Sequence, residues 1–82
     1  MTLRNFILGL DIIRAHYDDP DGYHLGAEHD TIYVYPTDTP LNSEEAKAVC
    51  ELGFFQEDAE VPDDKDFGPE YYDPEEGWAH YA

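Results

Sequence analysis

A chain of 82 residues with 20 Asp and Glu against four Lys and Arg carries a net charge of −16. This charge repels phosphate and anionic lipid, which argues against direct binding to nucleic acid or to a membrane surface. The length fits one small domain, and an aromatic content of 15% argues against global disorder. The single cysteine excludes an intramolecular disulfide, and no apolar run approaches the ~20 residues of a membrane span, so we expect a cytoplasmic protein.

The first predicted element is a helix over residues 2–16, because its apolar residues recur with a period of 3.6. Thr2 is placed to cap the first turn, and the residue before Pro20 avoids the α region, which ends the helix. A strand over part of this stretch is the alternative, since Ile12 and Ile13 are β-branched. The apolar residues that follow the helical period are Leu3, Phe6, Ile7, Leu10, Ile13 and Tyr17.

The stretch YDDPDGYHLGAE, residues 17–28, has part of the spacing of a calcium-binding EF-hand loop. Asp19, Asp21 and Glu28 fall on ligand positions of that loop. Tyr17, however, occupies the first position, where an EF-hand has a carboxylate, and a strand pattern follows where a second helix is required. We therefore interpret the stretch as the end of a helix followed by a Pro-Asp-Gly turn.

Residues 22–35 predict a β-hairpin. The first strand is short and covers residues 22–25, while residues 30–35 form a second strand rich in β-branched and aromatic residues. The loop between them contains Gly26, which is free to adopt positive φ. Alternation along the second strand places Ile32 and Val34 toward the first helix, and Tyr33 and Tyr35 on the outer face.

A metal site in the 16–30 region is an alternative hypothesis, because this region combines histidines with carboxylates. Such mixed sites suit zinc, and the carboxylates alone suit calcium. A hairpin would bring His24 and His29 across from each other, but their spacing matches no specific motif, so we predict no cofactor. The weak candidate ligands are Asp19, Asp21, His24, Glu28 and His29.

A second helix is predicted to begin after Asn42 or Ser43. Asn42 and Glu45 have the spacing of a capping box, and Gly53 is a natural residue to end the helix in the left-handed conformation. Cys50 lies on the apolar face and is interpreted as a small core residue, since nothing near it in sequence would lower its pKa. The residues predicted to face the core are Ala46, Val49, Cys50 and, after the helix, Phe54 and Phe55.

The chain changes character after residue 56, and we separate a compact domain, residues 1–56, from an acidic segment, residues 57–82. This segment contains ten acidic residues and one lysine, yet it also carries five aromatic residues. Two interpretations remain open. The segment wraps the domain with Trp78 or Phe67 in the core, or it stays irregular until a partner orders it.

The chain contains no nucleophile elbow and no phosphate-binding glycine-rich loop, so we expect a non-enzymatic protein. Carboxylates beside aromatic side chains are instead typical of a surface that binds a basic partner, because aromatic residues are favoured anchors in interfaces. The residues predicted to contact the partner are Glu44, Glu45, Asp63, Asp64, Asp66, Glu70, Tyr71, Tyr72, Asp73, Glu75, Glu76 and Trp78.

The segments GYHLGAEHD, ELGFF and YDPEEGW resemble stretches of small acidic proteins of phages and mobile elements. In size and charge the chain is also similar to phage-encoded inhibitors of host defence, such as DNA mimics and anti-CRISPR proteins. The resemblance implies an inhibitor that binds the basic surface of a nucleic-acid-binding protein in the bacterial cytoplasm. A structural or regulatory subunit, whose charge serves only solubility, is a further alternative. The expected fold is α+β, a helix, a β-hairpin and a helix followed by an irregular C-terminal segment.

Overall fold

A computed structural model describes residues 2–19, 21–22 and 24–81. It confirms the α+β fold and the predicted order of helix, hairpin and helix. A three-stranded antiparallel sheet, in the order β1-β2-β3, packs with two helices. The elements are α1 (Leu3–Arg14), β1 (Leu25–Glu28), β2 (Thr31–Val34), α2 (Ser43–Glu51), a 3₁₀ helix (Pro69–Tyr71) and β3 (Trp78–Tyr81). Neither α-helix in this part of the chain is both long and apolar enough to cross a membrane.

Helix α1 begins as predicted and ends at Arg14, two residues earlier than expected. The Thr2 side chain accepts a hydrogen bond from the backbone N–H of Asn5 at 3.2 Å. Ile13 is fully buried, whereas Leu3 is 72% exposed and Ile7 is 48% exposed. The apolar stripe of the helix is therefore wider than the core requires, and Leu3 and Ile7, which follow the helical period, lie largely outside the core.

The first strand of the hairpin lies three residues later than predicted. The segment Leu25–Glu28 pairs with β2, and the turn is the two-residue loop at His29 and Asp30, where His29 adopts φ 55°. Gly26 is paired with Tyr33 inside the strand and does not have positive φ. It is not part of the turn, because the turn is the two-residue loop closed by the Glu28–Thr31 pair. Tyr23, part of the predicted strand, lies outside the described residues.

The two faces of β2 are those the alternation predicts. Val34 is buried in the same cluster as Ile13 of α1, and Ile32 is half-buried on that face. Tyr35 on the other face is 50% exposed. Side-chain alternation therefore sets which face of the sheet contacts the helix.

Both ends of α2 have the capping interactions that the sequence predicts. Asn42 accepts a hydrogen bond from the Glu45 N–H at 2.8 Å, and Glu45 Oε1 accepts one from the Asn42 N–H at 3.0 Å, which is the predicted capping box. Gly53 has φ 98°, and the N–H groups of Gly53 and Phe54 bond to the carbonyls of Cys50 and Val49. This pair of bonds is a Schellman motif, and it directs Phe54 into the core, where it is 2% exposed.

The C-terminal segment contributes a strand that the sequence analysis does not predict. Strand β3 pairs with β2, and its other edge forms one bridge to Phe55 through Ala79. Trp78 is 2% exposed and lies in the main apolar cluster. The segment is further tied to the domain by Gln56, whose buried side chain bonds to the backbone of Asp73 and Glu76. Regular strand pairing therefore extends to Tyr81, and burial extends to His80.

Candidate interaction surface

The surface charge is largely uncompensated. Within residues 2–19, 21–22 and 24–81, one ion pair joins an arginine to a carboxylate, Arg14 to Asp11 at 2.9 Å. Two further contacts to carboxylates come from histidines, His16 to Glu45 and His29 to Glu28. The remaining carboxylates face solvent or uncharged hydrogen-bond donors, so the negative potential of the molecule is screened mainly by salt.

Helix α2 and the 3₁₀ helix Pro69–Tyr71 pack side by side, with Glu51 and Glu70 near Cys50 and with Glu45 and Asp73 near Tyr72. Burial, followed by the charges of Glu70 and Glu51, raises the pKa of Cys50 to about 11. The thiol is therefore protonated and unreactive at neutral pH, as the interpretation of Cys50 as a core residue requires. We define the acidic face by its members Glu44, Glu45, Glu51, Glu70 and Asp73.

A second group of carboxylates lies on an exposed loop. Asp63, Asp64 and Asp66 are all exposed, and the Lys65 N–H bonds to the Pro62 carbonyl at 3.0 Å to close a turn at the same place. We call residues 57–66 the acidic loop. Its predicted contact residues are available to a partner, because no neighbouring element in the described chain covers them.

The aromatic residues predicted as anchors are mostly part of the fold. The Trp78 ring stacks on Tyr72 at 5.5 Å and meets Phe67 edge-on at 6.0 Å. The Tyr72 hydroxyl accepts a hydrogen bond from the Leu41 N–H at 2.9 Å, so both rings hold the segment against the core. Trp78 therefore has no surface free for a partner, while Tyr71 remains half-exposed.

The predicted contact residues Glu75 and Glu76, which lie between Tyr72 and Trp78 in the sequence, differ in exposure. Glu75 is exposed, and its backbone N–H donates a hydrogen bond to the carboxylate of Asp73 at 2.9 Å. Glu76 is half-buried and its carbonyl accepts from Gln56. Of this pair, Glu75 is the one presented fully to solvent.

The candidate metal ligands are not brought together. Among the described residues, no group of three or more His, Cys, Asp or Glu side chains is placed to hold a metal ion. His24 precedes β1 and its carbonyl accepts from the Tyr35 N–H, while Glu28 and His29 are at the opposite end of that strand. The expectation that the hairpin sets His24 opposite His29 is wrong, because the register pairs His24 with Tyr35.

The loop before β1 is a local turn, as interpreted from the sequence. The Gly22 N–H bonds to the Asp19 carbonyl at 3.2 Å, and the Asp21 N–H bonds to the Asp19 carboxylate at 3.1 Å. Tyr17 points inward, and burial together with the charge of Asp38 raises its pKa to about 12. The carboxylate and the carbonyl of Asp19 thus both accept hydrogen bonds from N–H groups of its own loop. Pro20, the predicted first residue of the turn, lies outside the described residues.

His16 joins the end of α1 to the start of α2 through a hydrogen bond to a carboxylate 29 residues away in the sequence. Its ring nitrogens contact Thr39 Oγ1 at 3.0 Å and Glu45 Oε2 at 2.9 Å, and its carbonyl accepts from the N–H groups of Asp38 and Thr39. Glu45 therefore serves the capping box with one oxygen and His16 with the other. This doubly used carboxylate is a structural member of the acidic face.

Glu45→Gln is expected to lower stability at neutral pH by roughly 0.5–1 kcal/mol, equivalent to about 2–8 °C in Tm, because a neutral amide replaces the charged partner of the hydrogen bonds with Asn42 and His16. The hydrogen bond to Asn42, followed by that to His16, lowers the pKa of Glu45 from its usual value of 4.5. A lowered folded-state pKa contributes stability above 4.5, and this contribution is lost as the pH falls through the folded value.

Thermal unfolding followed by circular dichroism between about pH 7 and pH 3 measures this effect. The difference in Tm between Glu45→Gln and the parent protein is expected to close below pH 4.5. Glu44→Gln removes an equal charge from the same helical turn and is the matched control. A Tm difference that stays constant down to the acid limit would contradict a role for the ionised carboxylate.

Comparison of the chain with protein-family models, with curated proteins and with solved structures found no match. The function is therefore inferred from the charge, exposure and contacts of this chain alone. The two features that stand out are the exposed carboxylates and the surplus apolar side chains of α1.

Proposed function

We propose that the protein is a non-enzymatic inhibitor that binds the basic surface of a nucleic-acid-binding protein, in the manner of a DNA mimic. The observation that carries this proposal is the uncompensated charge of the acidic face and the acidic loop. A partner groove lined with Lys and Arg would be attracted to this surface at long range. The resemblance to phage-encoded inhibitors supports action in the bacterial cytoplasm.

The density of charge on the molecule supports this proposal. Duplex DNA carries one negative charge per roughly 1.7 Å of its axis, so a duplex as long as the 38 Å axis of this protein carries about 22. The chain has 20 acidic residues and a net charge of −16. Those residues cover several faces, and a partner would meet only part of them, as it meets only part of a duplex.

The first test is affinity as a function of salt. The protein is immobilised and exposed to a bacterial lysate, and each captured protein is purified and measured against it at about 50 and about 500 mM salt. Affinity is expected to fall at least about 10-fold over this range, since screening weakens exposed charge pairs. Duplex DNA is expected to displace the protein from its partner.

Two triple variants locate the surface. Asp63→Asn, Asp64→Asn and Asp66→Asn together neutralise the tip of the acidic loop. Asp18→Asn, Asp30→Asn and Asp38→Asn remove the same charge outside the acidic face, the acidic loop and the β1 edge, and are the matched control, because all of these acids are exposed. The acidic-loop variant is expected to weaken binding more than the control and to reduce its dependence on salt.

Two results would contradict the proposal. One is a partner that retains its nucleic acid while bound to this protein. The other is equal affinity at both salt concentrations. If the two triple variants bind as tightly as the parent, the charge serves solubility, as expected for a structural or regulatory subunit.

A further inference from the structure

Helix α1 and strand β1 are separated by an open apolar groove on the side of the molecule where β1 forms the edge of the sheet. Its volume is about 320 Å³. The apolar residues that line it are Ile7, Leu10, Ile13, Tyr17, Leu25 and Val34. Ile13 and Val34 form the buried floor, whereas Ile7 and Leu25 form the exposed walls.

The walls of the groove are apolar surface that the fold leaves in water. Ile7 is 48% exposed and Leu25 is 55% exposed. Leu3, one helical turn before Ile7, is 72% exposed and extends the same stripe. These side chains form one contiguous stripe and are not scattered singly, which is the arrangement that marks a contact site.

The backbone of β1 is also available for pairing. Within the described chain, β1 pairs only with β2, and its outer edge has no neighbour. The His24 carbonyl bonds to the Tyr35 N–H, so hydrogen-bonded pairs recur at every second residue from His24. The backbone groups of Leu25 and Ala27 therefore point away from β2, toward the open edge.

We propose that the groove and the β1 edge together bind one extended segment of the partner, in which apolar residues alternate with basic ones. Such a segment would pair with Leu25 and Ala27 through its backbone, as in β-strand addition. Every second side chain would then lie in the groove beside Ile7 and Leu25.

The charge of the molecule identifies the occupant. Asp11 lines the groove but is paired with Arg14, which lines it as well. The carboxylates that a basic segment would meet are Asp21, in the loop before β1, and Glu28, the last residue of β1, both exposed. A second copy of this chain would bring another net charge of −16 to the same edge, which opposes self-association. A segment with lysine or arginine at alternate positions meets these carboxylates while its apolar side chains enter the groove.

This inference rests on the proposed function only in taking the partner to be basic. It adds an apolar anchor to a surface otherwise described by charge alone. Charge gives fast association, whereas the anchor slows dissociation and selects the partner.

The test uses a synthetic peptide of sequence Lys-Val-Lys-Val-Lys-Val-Lys with blocked ends, titrated into the labelled full-length protein and followed by NMR. Binding is expected to shift the amide signals of β1 and of Ile7 and to slow hydrogen exchange at Leu25 and Ala27. A peptide with serine in place of valine keeps the charge and is expected to bind at least about 10-fold more weakly.

Protein variants complete the test. Ile7→Ser with Leu25→Ser alters exposed side chains and is expected to abolish the preference for the valine peptide. The acidic-loop triple variant is expected to keep that preference while weakening both peptides. N-methylation of the valines is expected to remove the protection of Leu25 and Ala27, because the peptide then cannot pair with the edge.

Equal affinity for the valine and serine peptides would overturn the groove proposal and leave the charge-based function standing. Failure of both peptides to bind would count against the two proposals together. A dimer of the free protein in analytical ultracentrifugation, lost on Leu25→Ser, would also overturn the groove proposal by showing that a second copy occupies this edge.

Discussion

Trp78→Ala is expected to unfold most of the protein at 25 °C. Removing a fully buried tryptophan costs about 3–5 kcal/mol, and a core in a chain of this size supplies roughly 3–5 kcal/mol in all. Trp78 is 2% exposed, begins strand β3 and packs on both Tyr72 and Phe67. Its removal thus opens a cavity where the C-terminal segment meets the core. Urea unfolding followed by circular dichroism measures the loss.

Tyr81→Ala is the matched control, because it alters an aromatic residue of the same strand that is 63% exposed. It is expected to cost less than about 1 kcal/mol. Trp78→Phe keeps an aromatic ring in the core and is expected to recover part of the stability. If Trp78→Ala and Tyr81→Ala were equally stable, the C-terminal segment would be an appended tail and not part of the folded domain.

Gly9→Ala is expected to destabilise the protein, although alanine normally favours a helix over glycine by about 1 kcal/mol. Gly9 is buried in α1, and the Phe54 ring lies directly against its backbone. An added Cβ would lie 2.7 Å from Cδ1 and 2.9 Å from Cζ of that ring. Phe54 is held between Phe6 and His80 and has little room to move, so overpacking is expected to cost about 1–3 kcal/mol.

A double-mutant cycle with Phe54→Leu separates the clash from other effects. Leucine removes the ring edge that meets the new Cβ, so Gly9→Ala is expected to be much less costly in that background. Thermal and urea unfolding of the parent, the two single variants and the double variant give the coupling free energy between positions 9 and 54. An increase in stability with Gly9→Ala in the parent protein would show that α1 lies farther from Phe54 than described.

Local signals in the sequence account for the helices and the ends of α2. The capping box of Asn42 and Glu45 and the left-handed Gly53 are contacts between residues a few positions apart, so spacing alone predicts them. The same holds for the turn that begins at Asp19. Alternation along β2 also predicts its two faces, since it depends only on the geometry of one strand.

The candidate surface is predicted in part. The exposure of Asp63, Asp64 and Asp66 follows from their charge, because an unpaired carboxylate is costly to bury. The place of Trp78 does not follow, since an aromatic residue in an acidic segment suits a core and an interface equally well. Its pairing with β2 through β3 joins residues more than forty positions apart, which no local pattern records.

The groove between α1 and β1 was likewise decided by the tertiary structure. The charge, the period of α1, the caps of α2 and the faces of β2 follow from the amino-acid sequence, because each depends on composition or on residues close in the chain. Only the fold decided which part of the α1 stripe is buried, that β1 forms an open edge, and that Trp78 is inside. Those outcomes depend on which distant segments pair, and so on the packing of the whole molecule.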